Sequence, residues 1–233
     1  MNDVKPVYSM VVSPHADDAE FGVAGTVARW TREGKDVVYV VCTNGDKGTS
    51  DPNLKPEKLA EMREEEQLAA AELLGVKKVE FLRFPDQGLE DNHEFRKALV
   101  RLIRMYRPEV LVTSSPNRGY IWHRDHRIAS RVALDAVFPY ARDVHSYPDL
   151  YEAGFEPHKV REVLLWGSPD SNYHSDITDT FDIKMAALAS HKSQIPAERF
   201  PEMKKRMRER YRLLAEGQEF ELAENFHRLQ LGQ

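Results

Sequence analysis

Val7-Tyr8-Ser9-Met10-Val11-Val12-Ser13-Pro14-His15-Ala16-Asp17-Asp18 passes from a short apolar run directly into a cluster of reactive side chains. Val7 to Val12 is nearly continuous in apolar residues, the pattern of a strand covered on both faces. From Asp18 to Arg32 the period changes. Phe21, Ala24, Gly25, Ala28 and Trp30 recur at near-helical spacing, and Gly34 falls where a helix C-cap belongs.

Outward from this stretch the same alternation repeats. Val37 to Cys42 is a second apolar, β-branched run, and Leu59 to Leu74 predicts an amphipathic helix stopped by Gly75. Val79 to Leu82, Glu94 to Tyr106 and Val110 to Thr113 repeat the order strand, helix, strand. Arg127 to Phe138 predicts another helix and Val160 to Trp166 a fifth strand. Helical patterns occupy Lys184 to His191 and much of Pro201 to Leu214. The expected fold is α/β: a Rossmann-like, doubly wound, mainly parallel sheet with helices on both faces. Ligands in such sheets bind beyond the C-terminal ends of the strands. With no internal repeat or break in composition, residues 1–233 read as one domain. Tyr140 to His158, rich in Pro, Tyr and Asp, reads as a surface excursion.

Composition narrows the class. The chain has 233 residues, 30% charged and 41% hydrophobic, as in ordinary globular proteins. No apolar run approaches the roughly 20 residues that span a bilayer. Met1 to Pro6 lacks the apolar core of a signal peptide. The lone Cys42 forms no intrachain disulfide, in keeping with a reducing cytoplasm, and reads as a small buried hydrophobe. A net charge of −5 gives no reason to expect nucleic acid as a partner. The basic stretch Lys204 to Arg212 is interrupted by Met207, Glu209 and Tyr211 and reads as a solvated helix face.

Two segments carry candidate chemistry. Pro14-His15-Ala16-Asp17-Asp18 follows the first strand, and Trp122-His123-Arg124-Asp125-His126 follows the strand ending near Thr113. Both fall at strand-to-helix connections on the same expected edge of the sheet. Imidazole nitrogens and carboxylate oxygens suit zinc or a similar divalent ion, and two His with one carboxylate leave a coordination position open for water. Asp17 can accept a proton from that water, His123 can protonate a leaving amine or stabilise an oxyanion, and Asp125 can hold the His123 ring. Either motif alone has a structural reading, since Asp at such a turn is often an N-cap. The pairing of the two favours a metal site. No G-x-G-x-x-G follows the first strand, no Walker-type lysine loop is present, and Ser13 and Ser115 lie outside any G-x-S-x-G elbow.

These motifs resemble the A-H-P-D-D and H-P-D-H signatures of the LmbE-like, or PIG-L, de-N-acetylase family, with the middle prolines replaced. The family includes enzymes acting on N-acetylglucosaminyl-phosphatidylinositol, on sugar precursors of mycothiol and bacillithiol, and on small chitooligosaccharides. Thr43-Asn44-Gly45-Asp46-Lys47-Gly48 is similar to its T-x-G-E-x-G loop. Arg63, Glu66, Ala70 and Leu74-Gly75 are similar to its R-x-x-E helix, and Phe84 to Gly88 to its F-x-D-G segment. Lys184, Ala187-Leu188, His191 and Ser193-Gln194 are similar to its late K-x-x-A-L-x-x-H-x-S-Q stretch.

The resemblance implies an LmbE-like fold and zinc-dependent removal of an N-acetyl group from an N-acetylglucosamine-type sugar or conjugate. His15, Asp18 and His126 would be the zinc ligands, with Fe2+, Co2+ or Mn2+ as alternatives. Asp17 would be the base, His123 the acid or oxyanion partner, and Arg63 and Asp86 would bind substrate. Arg63 has a second reading, a surface ion pair with Glu66. Some relatives place a tyrosine two residues before the position of His123, where this chain has Ile121, with Tyr120 one step earlier. His191 reads as closing the structure behind the site. By the same resemblance the protein would be a trimer or hexamer; the lone cysteine and the N-terminal composition point to the cytoplasm, and Asp46 to Pro56 and Tyr140 to His158 are expected to line the sugar pocket. The rivals are a non-catalytic sugar or nucleotide-sugar binder on the same fold and a metal-dependent phosphoesterase.

Overall fold

The computed structural model describes residues 4–119 and 122–232. Tyr120 and Ile121 lie outside the described residues. The first strand, β1 (Ser9–Ser13), pairs in parallel with β2 (Val37–Thr43) on one side and β4 (Val110–Ser114) on the other. β3 (Lys78–Phe84) extends the sheet beyond β2, and β5 (Glu162–Trp166) extends it beyond β4, both parallel. Because the chain winds outward from β1 in one direction and then returns to wind in the other, the order reverses between β1 and β4. That reversal opens a crevice at their C-terminal ends.

Side-chain alternation along the central strands feeds two cores. Met10 and Val12 of β1 pack with Phe95, Leu99 and Ile103 of α4 (His93–Tyr106) and with Ala129 and Val132 of α5 (Arg124–Asp135). Val11 faces the opposite layer, with Val27 and Trp30 of α2 (Ala24–Arg32) and Ala70 and Leu74 of α3 (Pro56–Leu74). Strands buried on both faces need apolar residues at consecutive positions, hence the unbroken runs in the sequence.

Three features depart from the sequence expectation. The helix expected over Asp18 to Arg32 is two: α1 (Asp18–Gly22) and α2, separated at Val23 with φ −146° and ψ 2°. Trp166 of β5 lies over Gly22, where a Cβ would come within 2.6 Å of the indole. The break frees the Phe21 carbonyl, which accepts from Lys184 Nζ at 3.0 Å and Tyr211 Oη at 3.1 Å. It also exposes the N-terminus of α2, where the Glu224 carboxylate accepts from the N–H groups of Gly25 and Thr26 at 2.9 and 2.8 Å.

The second departure is the strand that carries Glu224. β7 (Ala223–Gln230) runs antiparallel between β5 and a short edge strand β6 (Tyr173–Asp176), giving the order β3-β2-β1-β4-β5-β7-β6. Both strands are largely polar, so no apolar run or alternation announces them. The third is α5, which starts at Arg124 and ends at Asp135. Ala136–Tyr140 continues it as a wider turn with extended Phe138, where a simple helix to Phe138 was expected. The remaining helices are α6 (Pro148–Glu152), within the predicted excursion, α7 (Phe181–Leu188) and α8 (Phe200–Leu214).

Candidate active site

Four strand ends converge on His15. The segment after β1 contributes His15, Asp17 and Asp18; the β2 end contributes Gly45 and Lys47; the β3 end contributes Asp86; and the turn before α5 contributes His123, Asp125 and His126. The two distant motifs therefore meet. The Asp18 carboxylate lies between two imidazoles, with Oδ2 3.2 Å from His15 Nδ1 and Oδ1 3.3 Å from His126 Nε2. Ring nitrogens of His15, His123 and His126 lie within 4.8 Å of one another, so these three can also converge on one ion. His126 Nδ1 is buried without a hydrogen-bond partner. A divalent cation suits this donor set of imidazoles and a carboxylate.

The far side of His15 explains why Nδ1 is the nitrogen that faces Asp18. Its Nε2 is 3.0 Å from Asp86 Oδ1 and 3.4 Å from Asp125 Oδ2. Carboxylates behind a ligating histidine fix its ring and raise its basicity. Asp86 is held in turn by the Lys47 N–H at 3.2 Å.

The expectation that the Asp125 carboxylate holds His123 is corrected here. That carboxylate is fully buried, accepts from the N–H groups of Gln87 at 2.6 Å and Leu89 at 3.3 Å, and faces His15. What reaches His123 is the Asp125 backbone N–H, 3.2 Å from Nδ1. His123 is the N-cap of α5, and its ring accepts one of the N–H groups a helix start leaves unpaired. With Nδ1 accepting, the neutral ring carries its proton on Nε2.

The charges sort into distinct roles. In the metal-free chain burial works against a charged His15, but hydrogen bonds to Asp125, Asp18 and Asp86 outweigh it and raise its pKa to about 11, and a metal bound through this ring would displace the proton. Burial likewise opposes ionisation of Asp18, yet His126 and His15 hold it below the usual carboxylate range. Asp86 is brought down to about 2 against burial by His15 and Lys47. His126 is lowered by burial and by the positive charge of His15. Asp17 goes the opposite way: burial and then the neighbouring Asp18 charge push it up to about 7. Adjacent carboxylates driven apart in this way are suited to different tasks.

Asp17 is also strained. It has φ 85°, in the left-handed region that favours glycine, and its side chain makes no capping bond to α1, so the N-cap reading does not hold. A non-glycine residue held there costs about 1–3 kcal/mol. Arg63 lies alongside, 5% exposed, with Nη2 donating to the Ala16 carbonyl at 2.8 Å and lying 3.8 Å from Asp17 Oδ1. The surface pair with Glu66 is excluded, because Glu66 accepts from Ser193 N and Oγ, both at 2.7 Å. Gly45, at φ 61°, is required beside Arg63: a Cβ there would come within 3.1 Å of Nε.

A cavity of about 360 Å3 opens from Asp18 and His126, walled by Trp122, Trp166, Arg118 and Met207 of α8. Trp122 stands edge-on to His126 with ring centroids 4.5 Å apart. The sequence reading missed this wall. In the sequence Trp122 stands among the reactive residues of the second motif and Trp166 ends an apolar strand, so neither signals a cavity wall. The excursion expected to line the pocket is elsewhere. Arg104 of α4 binds the carbonyls of Tyr140, Asp143 and Ser146, and His158 reaches the Pro108 carbonyl before β4 begins. Of the segment Asp46 to Pro56, Lys47 reaches the site through Asp86.

Fold and site together define a doubly wound α/β protein with a His and Asp centre, able to hold a metal ion, at the switch point of its sheet. Among the described residues no helix is long and apolar enough to cross a membrane. The chain belongs to the PIG-L family: residues 10–137 match the family model described as GlcNAc-PI de-N-acetylase. It is 38% identical over 195 residues to a diacetylchitobiose deacetylase of Thermococcus kodakarensis, covering 84% of this chain and 72% of that protein. It is 31% identical to a mycothiol S-conjugate amidase of Streptomyces coelicolor, over 81% and 83% of the two chains. Its structure superposes on an N,N'-diacetylchitobiose deacetylase from Pyrococcus horikoshii with a TM-score of 0.90 and 28% identity, covering 96% of this chain and 84% of that one.

Proposed function

We propose that this protein is a zinc-dependent hydrolase that removes the acetyl group from the nitrogen of an N-acetylglucosamine-type sugar or its conjugate. The observation that carries the reading is Asp18 bridging His15 and His126 from two strand ends, with Asp17 beside it pushed up to about 7. The named relatives point the same way, since two are deacetylases and the third an amidase.

His15, Asp18 and His126 would hold the ion, with Asp86 and Asp125 keeping the His15 ring in place. A divalent ion there supplies Lewis acidity, making water nucleophilic near neutral pH and polarising a carbonyl. Asp17 takes a proton from the water as its oxygen bonds to the acetyl carbon. A cation at Asp18 would offset the charge that raises the Asp17 pKa, leaving the Asp17 carboxylate ionised to accept that proton. His123 donates an Nε2–H hydrogen bond to the developing oxyanion, and the proton that Asp17 took from the water passes to the sugar nitrogen as the C–N bond breaks. Acetate and the free amine are the products. Trp122 and Trp166 offer apolar faces to a sugar ring in the cavity, whereas Arg63 and Asp86 are not among the residues that line it. The same reading carries one catalytic domain over residues 1–233, a cytoplasmic location and a trimer or hexamer, the last testable by light scattering.

The test is acetate release from N-acetylglucosamine, its malate and inositol conjugates and diacetylchitobiose, with Zn2+, Fe2+, Co2+ or Mn2+ added. Acetate from at least one substrate, abolished in Asp17→Asn, is the expected result. Phosphate release from phosphomonoesters without acetate would overturn it in favour of a phosphoesterase. Sugar binding without turnover would make the protein a binder.

A further inference from the structure

The backbone of Asp17 is held by side chains of one helix. The peptide between Ala16 and Asp17 presents its carbonyl to Arg63 Nη2 at 2.8 Å, and its N–H to Gln67 Oε1 at 3.2 Å. Arg63 and Gln67 are four residues apart on α3, hence on the same face one turn apart. Both are buried, at 5% and 0% exposure. Gln67 is itself oriented, because its Nε2 donates to Glu20 Oε1 at 3.0 Å. Glu20 is fully buried, and its Oε2 lies 3.2 Å from Nε2 of the equally buried His191, outside hydrogen-bond geometry.

We propose that Gln67, aimed by Glu20, is a positioning residue that holds Asp17 in its left-handed conformation and so keeps the carboxylate of the base on the reacting side. The proposal rests on Asp17 being the base. A residue at φ 85° relaxes toward ordinary backbone angles unless its surroundings over-determine it. Holding one peptide at both its donor and its acceptor does that: rotating it breaks hydrogen bonds to two buried side chains at once. Catalysis is sensitive to such placement, since a shift of about 1 Å at the reacting group is worth about 100-fold in rate. Gln67 acts on Asp17 from α3 and is not among the residues that line the cavity.

The experiment compares two near-isosteric replacements in the intact, metal-loaded protein. Gln67→Met keeps volume and deletes both the acceptor facing Asp17 and the donor to Glu20. Gln67→Glu keeps that acceptor but sets a carboxyl against Glu20, where the two must share a proton. If Gln67 positions Asp17, kcat falls by about 10- to 100-fold in Gln67→Met, with KM and metal content within two-fold of wild type. Gln67→Glu stays within about three-fold in kcat although it is the less stable of the two in urea. A purely structural role gives the same order for activity as for stability, and that result overturns the proposal.

A second measurement is a double-mutant cycle with Asp17→Asn. Gln67→Met is expected to change the residual rate less than two-fold in that background, because the group it positions is gone. An undiminished loss there also overturns the proposal. Should wild-type protein release no acetate at all, it is the assignment of function that fails, not the clamp on Asp17.

Discussion

Asp17→Asn is expected to make the metal-free protein more stable at pH 8 while abolishing its function. In the folded chain burial and the Asp18 charge raise the Asp17 carboxyl from the ordinary 3.8 to about 7. Below pH 4 the group is protonated whether the chain is folded or unfolded, so it contributes no difference. Between pH 4 and pH 7 the unfolded chain has released this proton and the folded chain still holds it, so stability falls as pH rises. Above pH 7 the penalty is complete. About three pH units at 1.36 kcal/mol each set its ceiling near 4 kcal/mol. Asparagine carries no charge at any of these pH values, and it also tolerates a left-handed backbone better than most residues.

Urea unfolding of the chelator-treated protein should therefore show Asp17→Asn gaining about 2–4 kcal/mol over wild type at pH 8, a gain that shrinks toward zero at pH 4.5. Adding a divalent ion should narrow the gap at pH 8, since a cation beside Asp18 favours the ionised form of Asp17. Equal stability of the two proteins at pH 8, or the same gain at both pH values, would refute the reasoning. The same variant should keep its metal while kcat drops at least 100-fold, because only the proton acceptor is lost.

His15→Ala should abolish tight metal binding, read by elemental analysis after dialysis; full occupancy would remove His15 from the ligand set. Glu224→Ala should destabilise by about 3–5 kcal/mol, as it strands the buried Lys184 ammonium, 2.6 Å from Glu224 in the native fold, and uncaps α2. Lys184→Met should lose less in the same denaturation assay, because Glu224 retains Gly25, Thr26 N–H and the Thr26 hydroxyl as donors. Gly45→Ala should lower activity by displacing Arg63, with both a left-handed φ and a Cβ 3.1 Å from Nε against it; wild-type kcat and KM would refute that.

Much of this protein was legible without coordinates. Strands buried on both faces must be apolar at consecutive positions, so β1, β2 and β4 stood out. The turns that follow β1 and β4 placed His15 and His126 on the ligand-bearing edge before any distance was known. What escaped the sequence depends on partners far along the chain. The break at Val23 exists because Trp166 packs on Gly22, and because Glu224, some 200 residues away in sequence, caps the helix that restarts there. The polar strand β7 that carries Glu224 is stabilised by pairing with β5 and by this buried network, and neither leaves a periodicity to read. The side chain of Asp125 turned to His15 rather than to its near neighbour because two backbone N–H groups from the β3–α4 connection draw it inward. The residue types and their order set which chemistry was available. Three-dimensional packing alone decided which carboxylate backs which imidazole, because those choices depend on distances that local sequence does not encode.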